Sequence, residues 1–286
     1  ELVAPDYSQY LSVGQMRRMG DAVKMGTFSA LECIETSGEN PDCVIIGTAQ
    51  GCPVSTKKFL EKISNQNGKL LSPTPFISST HNTIAGNISL LTKNKGYNIT
   101  HTQGSLSFEH ALIDAQMQFS EGRNSILVGT SDEEEVSKTE TEPIIFDYAV
   151  RTNNYELING TGSSCFMLNN KKPGLAEIID VEVFGLVEDT SIATQEFLKN
   201  NKVNINEIDA VCYIHSQDKS LKVIEGFFPE SKHVDIHDYS KSYQTMSSFG
   251  LQLAVDQMKK NNYKYVLVFN NLIEDNLGLI LIKSSL

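Results

Sequence analysis

Apolar positions along the chain follow two rhythms that take turns. Met16, Met19, Val23, Thr27, Ala30 and Ile34 recur at intervals of three and four, the period of a helix with one buried face. Gly38 and Pro41 end that helix. Cys43-Val44-Ile45-Ile46-Gly47-Thr48 follows, a short β-branched run of the kind that makes a central strand covered on both faces. A second helix is expected from Thr56 to about Ile63. Pro73 and Pro75 open a loop that leads into a helical stretch over residues 82–91. Phe108, Ala111, Leu112, Ala115 and Phe119 mark another helical face, closed by Glu121-Gly122, and a buried strand follows at Ser125-Ile126-Leu127-Val128-Gly129. The acidic and polar run from Asp132 to Glu142 reads as an exposed loop.

The second half repeats this order. Asn206-Glu207-Ile208-Asp209 introduces the strand Ala210-Val211-Cys212-Tyr213-Ile214 much as Asn40-Pro41-Asp42 introduces Cys43 to Ile46. Gln257-Met258 precedes Tyr265-Val266-Leu267-Val268-Phe269 in nearly the relation that Gln116-Met117 bears to Ile126-Leu127-Val128. Self-similarity at half the chain length suggests a duplication, with chance as the rival account of the Gln-Met pair. Alternating helices and apolar strands place the chain in the α/β class.

Composition narrows the partners. A net charge of −11, with no block of Lys and Arg, argues against nucleic acid and anionic membrane. No apolar run approaches the roughly 18 residues that a membrane span needs, and the first residues lack the pattern of a signal peptide, so a cytoplasmic setting is expected. The 5 cysteines (Cys33, Cys43, Cys52, Cys165 and Cys212) show neither CxxC nor regular spacing, which supports neither a disulfide framework nor a zinc site. His81 and His101 fall in loop-like segments without the partners a metal site requires. His110 reads as a packed or partly exposed histidine.

Several motifs, in order, carry a resemblance. Pro73-Thr74-Pro75-Phe76, His81-Asn82-Thr83-Ile84-Ala85-Gly86, and Gly96 through Thr102-Gln103-Gly104-Ser105 are similar to the approach to the nucleophile turn of β-ketoacyl synthases. Ala115, Gly122 and Val128-Gly129-Thr130-Ser131-Asp132-Glu133 continue the likeness, as do Cys212-Tyr213-Ile214-His215 and Lys241-Ser242. The resemblance covers nearly the whole chain. It implies a thiolase-like fold: two pseudo-symmetric α/β halves, residues 1–160 with the nucleophile turn and residues 161–286, layered α-β-α-β-α. The usual opening strand of that fold and its Gly-rich turn are not seen before Glu1. No cofactor and no metal are implied.

The resemblance also exposes losses. A ketosynthase cysteine sits at a helix start, where the helix dipole and backbone N–H groups favour thiolate. Ser105 stands at that position, and a serine hydroxyl needs an adjacent general base. Met246 stands where the second catalytic histidine would be, and Leu272-Ile273-Glu274-Asp275 replaces the family's glycine turn. His215 and Lys241 remain, so Ser105, His215, Lys241 and Met246 form a degenerate site at which no catalysis is expected. Chain-length factors, the inactive partners of type II polyketide ketosynthases, carry glutamine in the cysteine place. Here Gln103 lies two positions early.

Three functions are compatible with these residues. The first is a non-catalytic, chain-length-factor-like subunit that pairs with an active ketosynthase in type II fatty-acid or polyketide synthesis. Its substrate would be an acyl chain on the phosphopantetheine of an acyl carrier protein, and Gln103, Gly104, Leu106 and Phe108 would line the interface or tunnel. The texture of Pro-Thr-Pro-Phe-Ile and Ser-Phe-Glu resembles proteins of aryl polyene, flexirubin or dialkylresorcinol pathways. The second is a thioester hydrolase or acyltransferase using Ser105 with His215 as base. The third is a homodimeric scaffold that binds carrier protein without turnover.

Overall fold

A computed structural model of the chain describes residues 4–66, 73–133, 160–215, 218–273 and 275–285. Helices α1 (Val13–Met16) and α2 (Asp21–Ser37) precede strand β1 (Cys43–Gly47). Helices α3 (Pro53–Gln66), α4 (Pro73–Ser79) and α5 (Thr83–Thr92) lead to β2 (Tyr97–His101), and α6 (Ser107–Ser120) leads to β3 (Ser125–Asp132) and β4 (Gly162–Asn169). The chain continues through β5 (Ala176–Gly185), α7 (Thr190–Asn200), β6 (Ala210–His215), α8 (Asp218–Phe227) and β7 (Lys232–Asp235). It ends with α9 (Ser247–Asn261), β8 (Tyr265–Asn271) and β9 (Asn276–Ser284).

The strands form two sheets, ordered β2-β1-β3-β4 and β5-β9-β8-β6-β7. In the first, β1 runs parallel to β2 and β3, and β4 returns antiparallel to β3. In the second, β6 runs parallel to β7 and β8, and β9 returns antiparallel to β8. The strands β1 to β4 therefore correspond in order to β6 to β9. Strand β5, which pairs antiparallel with β9, has no counterpart in the first sheet among the described residues.

The duplication extends to single hydrogen bonds. Before β1, Asp42 accepts from the backbone N–H groups of Asn124 and Ser125 at 2.9 and 3.2 Å, and its own N–H donates to the Ser125 carbonyl. Before β6, Asp209 does the same with Lys264 and Tyr265 at 2.7 and 3.0 Å, and donates to the Tyr265 carbonyl. Each aspartate thus clips the start of its half's first strand to the start of the parallel neighbour. The Gln-Met pair, by contrast, is coincidental. Met117 is 59% exposed and Met258 is 2% exposed, because counting from the helix starts Ser107 and Ser247 aligns Met258 with buried Gln118 instead.

Side-chain alternation builds the layers, since successive strand residues face opposite sides. Cys43, Ile45, Ile126 and Val128 share one core with Cys212, Ile214, Val266 and Val268, and α6 and α9 fill the space between through Phe108, Leu112, Leu251 and Met258. The intervening residues Val44, Ile46 and Leu127 face a second core under α2 and α5. Val211, Tyr213, Leu267 and Phe269 face a third, with Phe197 of α7 and Ile224 of α8. The order helix, sheet, paired helices, sheet, helix follows directly.

Several local expectations are revised. The first helix is two, α1 and α2, divided at Gly20. Helix α3 runs further in both directions than expected. The Pro73/Pro75 segment is helical, which proline allows in a first turn, where its missing N–H has no intrahelical acceptor to lose. Asp132 and Glu133 are buried, not exposed, whereas residues 134–142 lie outside the described residues. Strand β4, which follows residue 160, pairs with β3 of the first sheet.

Candidate functional site

The site is set by the starts of the two central helices. Gly104, at a φ of 59° that disfavours residues with a Cβ, turns the chain from β2 into a short 3₁₀ segment, Gly104–Leu106, that feeds α6. Ser105 in that segment is 1% exposed, and its Oγ has no hydrogen-bond partner among the described residues. The turn is held from behind: Ser107 Oγ donates to the Gly104 carbonyl at 2.7 Å and to the Thr48 carbonyl at 3.0 Å. Asn270 Nδ2 donates to the Ser105 carbonyl at 2.9 Å.

At the start of α9, Met246 is fully buried in the central core, and Ser242 Oγ approaches its Sδ at 3.5 Å. Lys241 is exposed. His215 ends β6. Along that strand Cys212 and Ile214 face the central helices, whereas Val211 and Tyr213 face the outer core. His215 follows the outer set: its ring stacks on Tyr213 with centroids 5.6 Å apart, and its Nε2 lies 3.6 Å from Asp235 Oδ2. His237 Nδ1 lies 3.0 Å from the other oxygen of Asp235. Burial alone would raise the Asp235 carboxyl, but the hydrogen bonds from His215 and His237 outweigh it and hold it well below the usual range. The structure thus does not bring His215 into hydrogen-bonding contact with the Ser105 hydroxyl.

Two carboxyls to which sequence reading gave no joining role tie the halves together. Asp132, at the end of β3, accepts through Oδ1 from Thr48 Oγ1 at 2.7 Å and Ala49 N at 2.9 Å. Through Oδ2 it accepts from Thr245 N at 3.2 Å and Thr245 Oγ1 at 2.6 Å. Thr130 and Ser248 share a hydrogen bond of 2.6 Å beside it. The reciprocal contact runs from β8 to α6: Asn270 Nδ2, besides reaching Ser105, donates to Glu109 Oε1 at 2.8 Å. Glu109 is fully buried, and burial pushes its carboxyl up to about 7 against the opposing hydrogen bonds from Asn270, its own backbone and Ser247. Glu133 serves the fold, accepting from Ala22 N and Val54 N at 3.0 and 3.2 Å and so capping α2 and α3 together.

Among the described residues, strand β2 lies at the edge of its sheet. Beside it an open groove of about 460 Å³ runs between Thr80, His81 and Asn82 on one side and Asn98, Ile99 and Thr100 on the other. His101 is the last residue of β2, not part of a loop. It lies 3.0 Å from Asp114, which also accepts from Tyr97 Oη at 3.2 Å, and its ring stacks near His110. Of the residues expected at an interface, Gln103 is exposed and Gly104 half-buried at this edge. Leu106 and Phe108 are buried within the chain, Phe108 against Phe166.

The layers and the paired sheets define the class first: a thiolase-like fold. Residues 4–140 match the family model for the N-terminal domain of β-ketoacyl synthases. No curated protein matches the chain by sequence. Among solved structures the chain is similar to the ishigamide ketosynthase/chain length factor, with a TM-score of 0.83 and 16% identity over 99% of this chain and 86% of that one. It is also similar to a type II PKS acyl-carrier protein in complex with its ketosynthase bound to the hexaketide (TM-score 0.79, 13% identity, 99% and 87% coverage). A ketosynthase in complex with its chain length factor from Xenorhabdus doucetiae gives a TM-score of 0.54 at 13% identity, with 97% and 86% coverage. Among the described residues no helix is long and apolar enough to cross a membrane.

Proposed function

We propose that this chain is a ketosynthase-like subunit without condensing activity that pairs with an active β-ketoacyl synthase, in the manner of a chain-length factor, in type II fatty-acid or polyketide synthesis. Met246 carries the reading. The position that should hold a second catalytic histidine is filled by a thioether packed at 0% exposure, a core part with no acid–base chemistry. Ser105 is sealed without a base on its hydroxyl, and His215 is directed toward Asp235. The frame that would meet a partner is intact: an edge strand, β2, leads directly into Gln103 and the nucleophile turn. An unpaired strand edge is a ready template for a second chain. Two of the similar structures are a ketosynthase in complex with its chain length factor and an acyl-carrier protein in complex with its ketosynthase, which are partners of the proposed kind. The finer reading, an aryl polyene, flexirubin or dialkylresorcinol pathway, rests on the sequence texture around Pro73-Thr74-Pro75-Phe76 and Ser107-Phe108-Glu109.

Co-expression with active ketosynthases from the same genome, followed by size exclusion and product analysis, tests the proposal. A 1:1 complex whose products change in length when the subunit is omitted is expected. Migration only with itself, with ketosynthase products unaltered, overturns it and favours the homodimeric scaffold. A fluorophosphonate or acyl-thioester probe is expected to leave folded protein unlabelled; an adduct at Ser105 would establish the hydrolase or acyltransferase reading instead.

A further inference from the structure

The Asn270 side chain ties the buried acid of α6 to the turn that starts the same helix. Its Nδ2, with two hydrogens to give, donates to the Ser105 carbonyl at 2.9 Å and to Glu109 Oε1 at 2.8 Å. Its Oδ1 accepts from the Leu272 N–H at 3.3 Å, which fixes the end of the amide that faces the carboxyl. The Ser105 carbonyl belongs to the peptide whose N–H, that of Leu106, donates to the Gln103 carbonyl at 3.2 Å. A continuous chain of hydrogen bonds therefore runs from the core to Gln103, which is exposed beside β2. Strand β9 leaves room for it: a Cβ at Gly278 would come within 2.7 Å of Glu109 Oε1.

We propose that Glu109, Asn270 and the Ser105–Leu106 peptide form a proton-dependent latch on the start of α6. The protonated acid leaves the Asn270 amide on the Ser105 carbonyl, and the carboxylate draws it away. Hydrogen bonds to an ionised acceptor are shorter and roughly twice as strong as neutral ones. The two N–H bonds of one planar amide cannot both improve when a single acceptor strengthens, so the turn loses what the carboxylate gains. Few donors share that charge: Asn270, Ser247 of α9 and the N–H of Glu109 itself act on the carboxyl, and no charged group does. Titratable groups on the elements packed against α6 are turned elsewhere. His101 and Tyr97 of β2 meet Asp114, Cys43 of β1 meets Gln118, and Asp132 of β3 meets Thr48 and Thr245. Asp180 of β5 holds Asn201, Asp256 of α9 holds Gln252, and His110 stacks near His101. Burial sets the Glu109 carboxyl at about 7, so the latch closes below neutral pH and opens above it. It belongs to the chain by itself and rests on no partner.

Carbon-detected nuclear magnetic resonance on the whole chain tests the latch. The Glu109 carboxyl carbon and the Ser105 carbonyl carbon are expected to titrate together, with one midpoint near 7. The Ser105 signal should move upfield as pH rises, as a carbonyl does on losing a donor. Glu109→Gln, which keeps the shape and cannot ionise, should hold the Ser105 signal at its acid position at every pH. A Ser105 signal that stays still or moves downfield while Glu109 titrates overturns the proposal, as does a Glu109 carboxyl that titrates in the ordinary glutamate range. A Ser105 shift that survives in Glu109→Gln also overturns it and assigns the titration to His101 or His110. Should that variant fold poorly, the unaltered chain decides, since unequal midpoints for the two carbons overturn the latch.

Discussion

Asp132 and Glu109 both tie one half to the other, Asp132 from the end of β3 to Thr245 just before α9, and Glu109 from the first turn of α6 to Asn270 at the end of β8. They differ in donors. Asp132 receives four hydrogen bonds, two from the end of β1 and two from Thr245, which replace the water it gives up on burial. At Glu109 burial prevails over the fewer bonds from Asn270, its own backbone and Ser247, and its carboxyl holds its proton up to a pH of about 7. The same chemical group in the same kind of seam is thus a structural staple in one case and a titrating acid in the other. The number of N–H and O–H groups aimed at it makes the difference.

The largest expected effect is at the staple. Asp132→Ala orphans four donors at once and should lower stability by about 4 kcal/mol, read as a drop in the urea midpoint. A loss below about 1 kcal/mol would break the contrast, because it would mean that these bonds form no better than those of the unfolded chain with water. Next comes the pH profile of Glu109. Its carboxyl titrates at 4.5 unfolded and at about 7 folded, so the folded state holds the extra proton between those values. Stability should therefore be greatest below pH 4.5, fall by about 3 kcal/mol as pH rises toward 7, and level off above it. Glu109→Gln should flatten that slope and be the more stable protein on the alkaline side; an unchanged slope would assign the titration elsewhere. Thr245→Val removes the hydroxyl donor while leaving the backbone N–H on Asp132, and should cost about 1–2 kcal/mol. Thr130→Val should cost least, about 1 kcal/mol, since Ser248 Oγ keeps the Thr245 carbonyl as acceptor.

What could be read from the sequence was what has a short period or a fixed spacing. The strands at Cys43, Ser125, Ala210 and Tyr265 were visible because buried β-branched runs are rare elsewhere, and the order of elements revealed the duplication. Met246 and Ser105 were placed by counting from neighbouring motifs. Asp132 and Glu133 were misread because the acidic residues that follow them made one continuous polar run, and local composition does not record that a strand end and two helix starts close over the first two. Glu109 carries no local signal at all. Its role depends on Asn270, 161 residues away, and on the missing side chain at Gly278. The orientation of His215 was similarly out of reach: the strand's alternation directs it toward Tyr213 and Asp235, but only the position of β7 shows that an acid waits there. The helix at Pro73–Ser79 was hidden by the usual meaning of proline, which does not apply in a first turn.

The open edge of β2 has a consequence for handling as well as for pairing. Its five residues, Tyr97-Asn98-Ile99-Thr100-His101, include two β-branched side chains and neither proline nor lysine, the residues that commonly blunt such edges. Thr100 also brings there a buried hydroxyl with no partner among the described residues. Among the described residues no strand covers that edge, so a chain made in isolation offers it to other strands it meets. If the proposed ketosynthase partner seats there, it would act as a cover for an adhesive surface, and the yield of soluble material would be set less by the stability of the fold than by whether that cover is made at the same time.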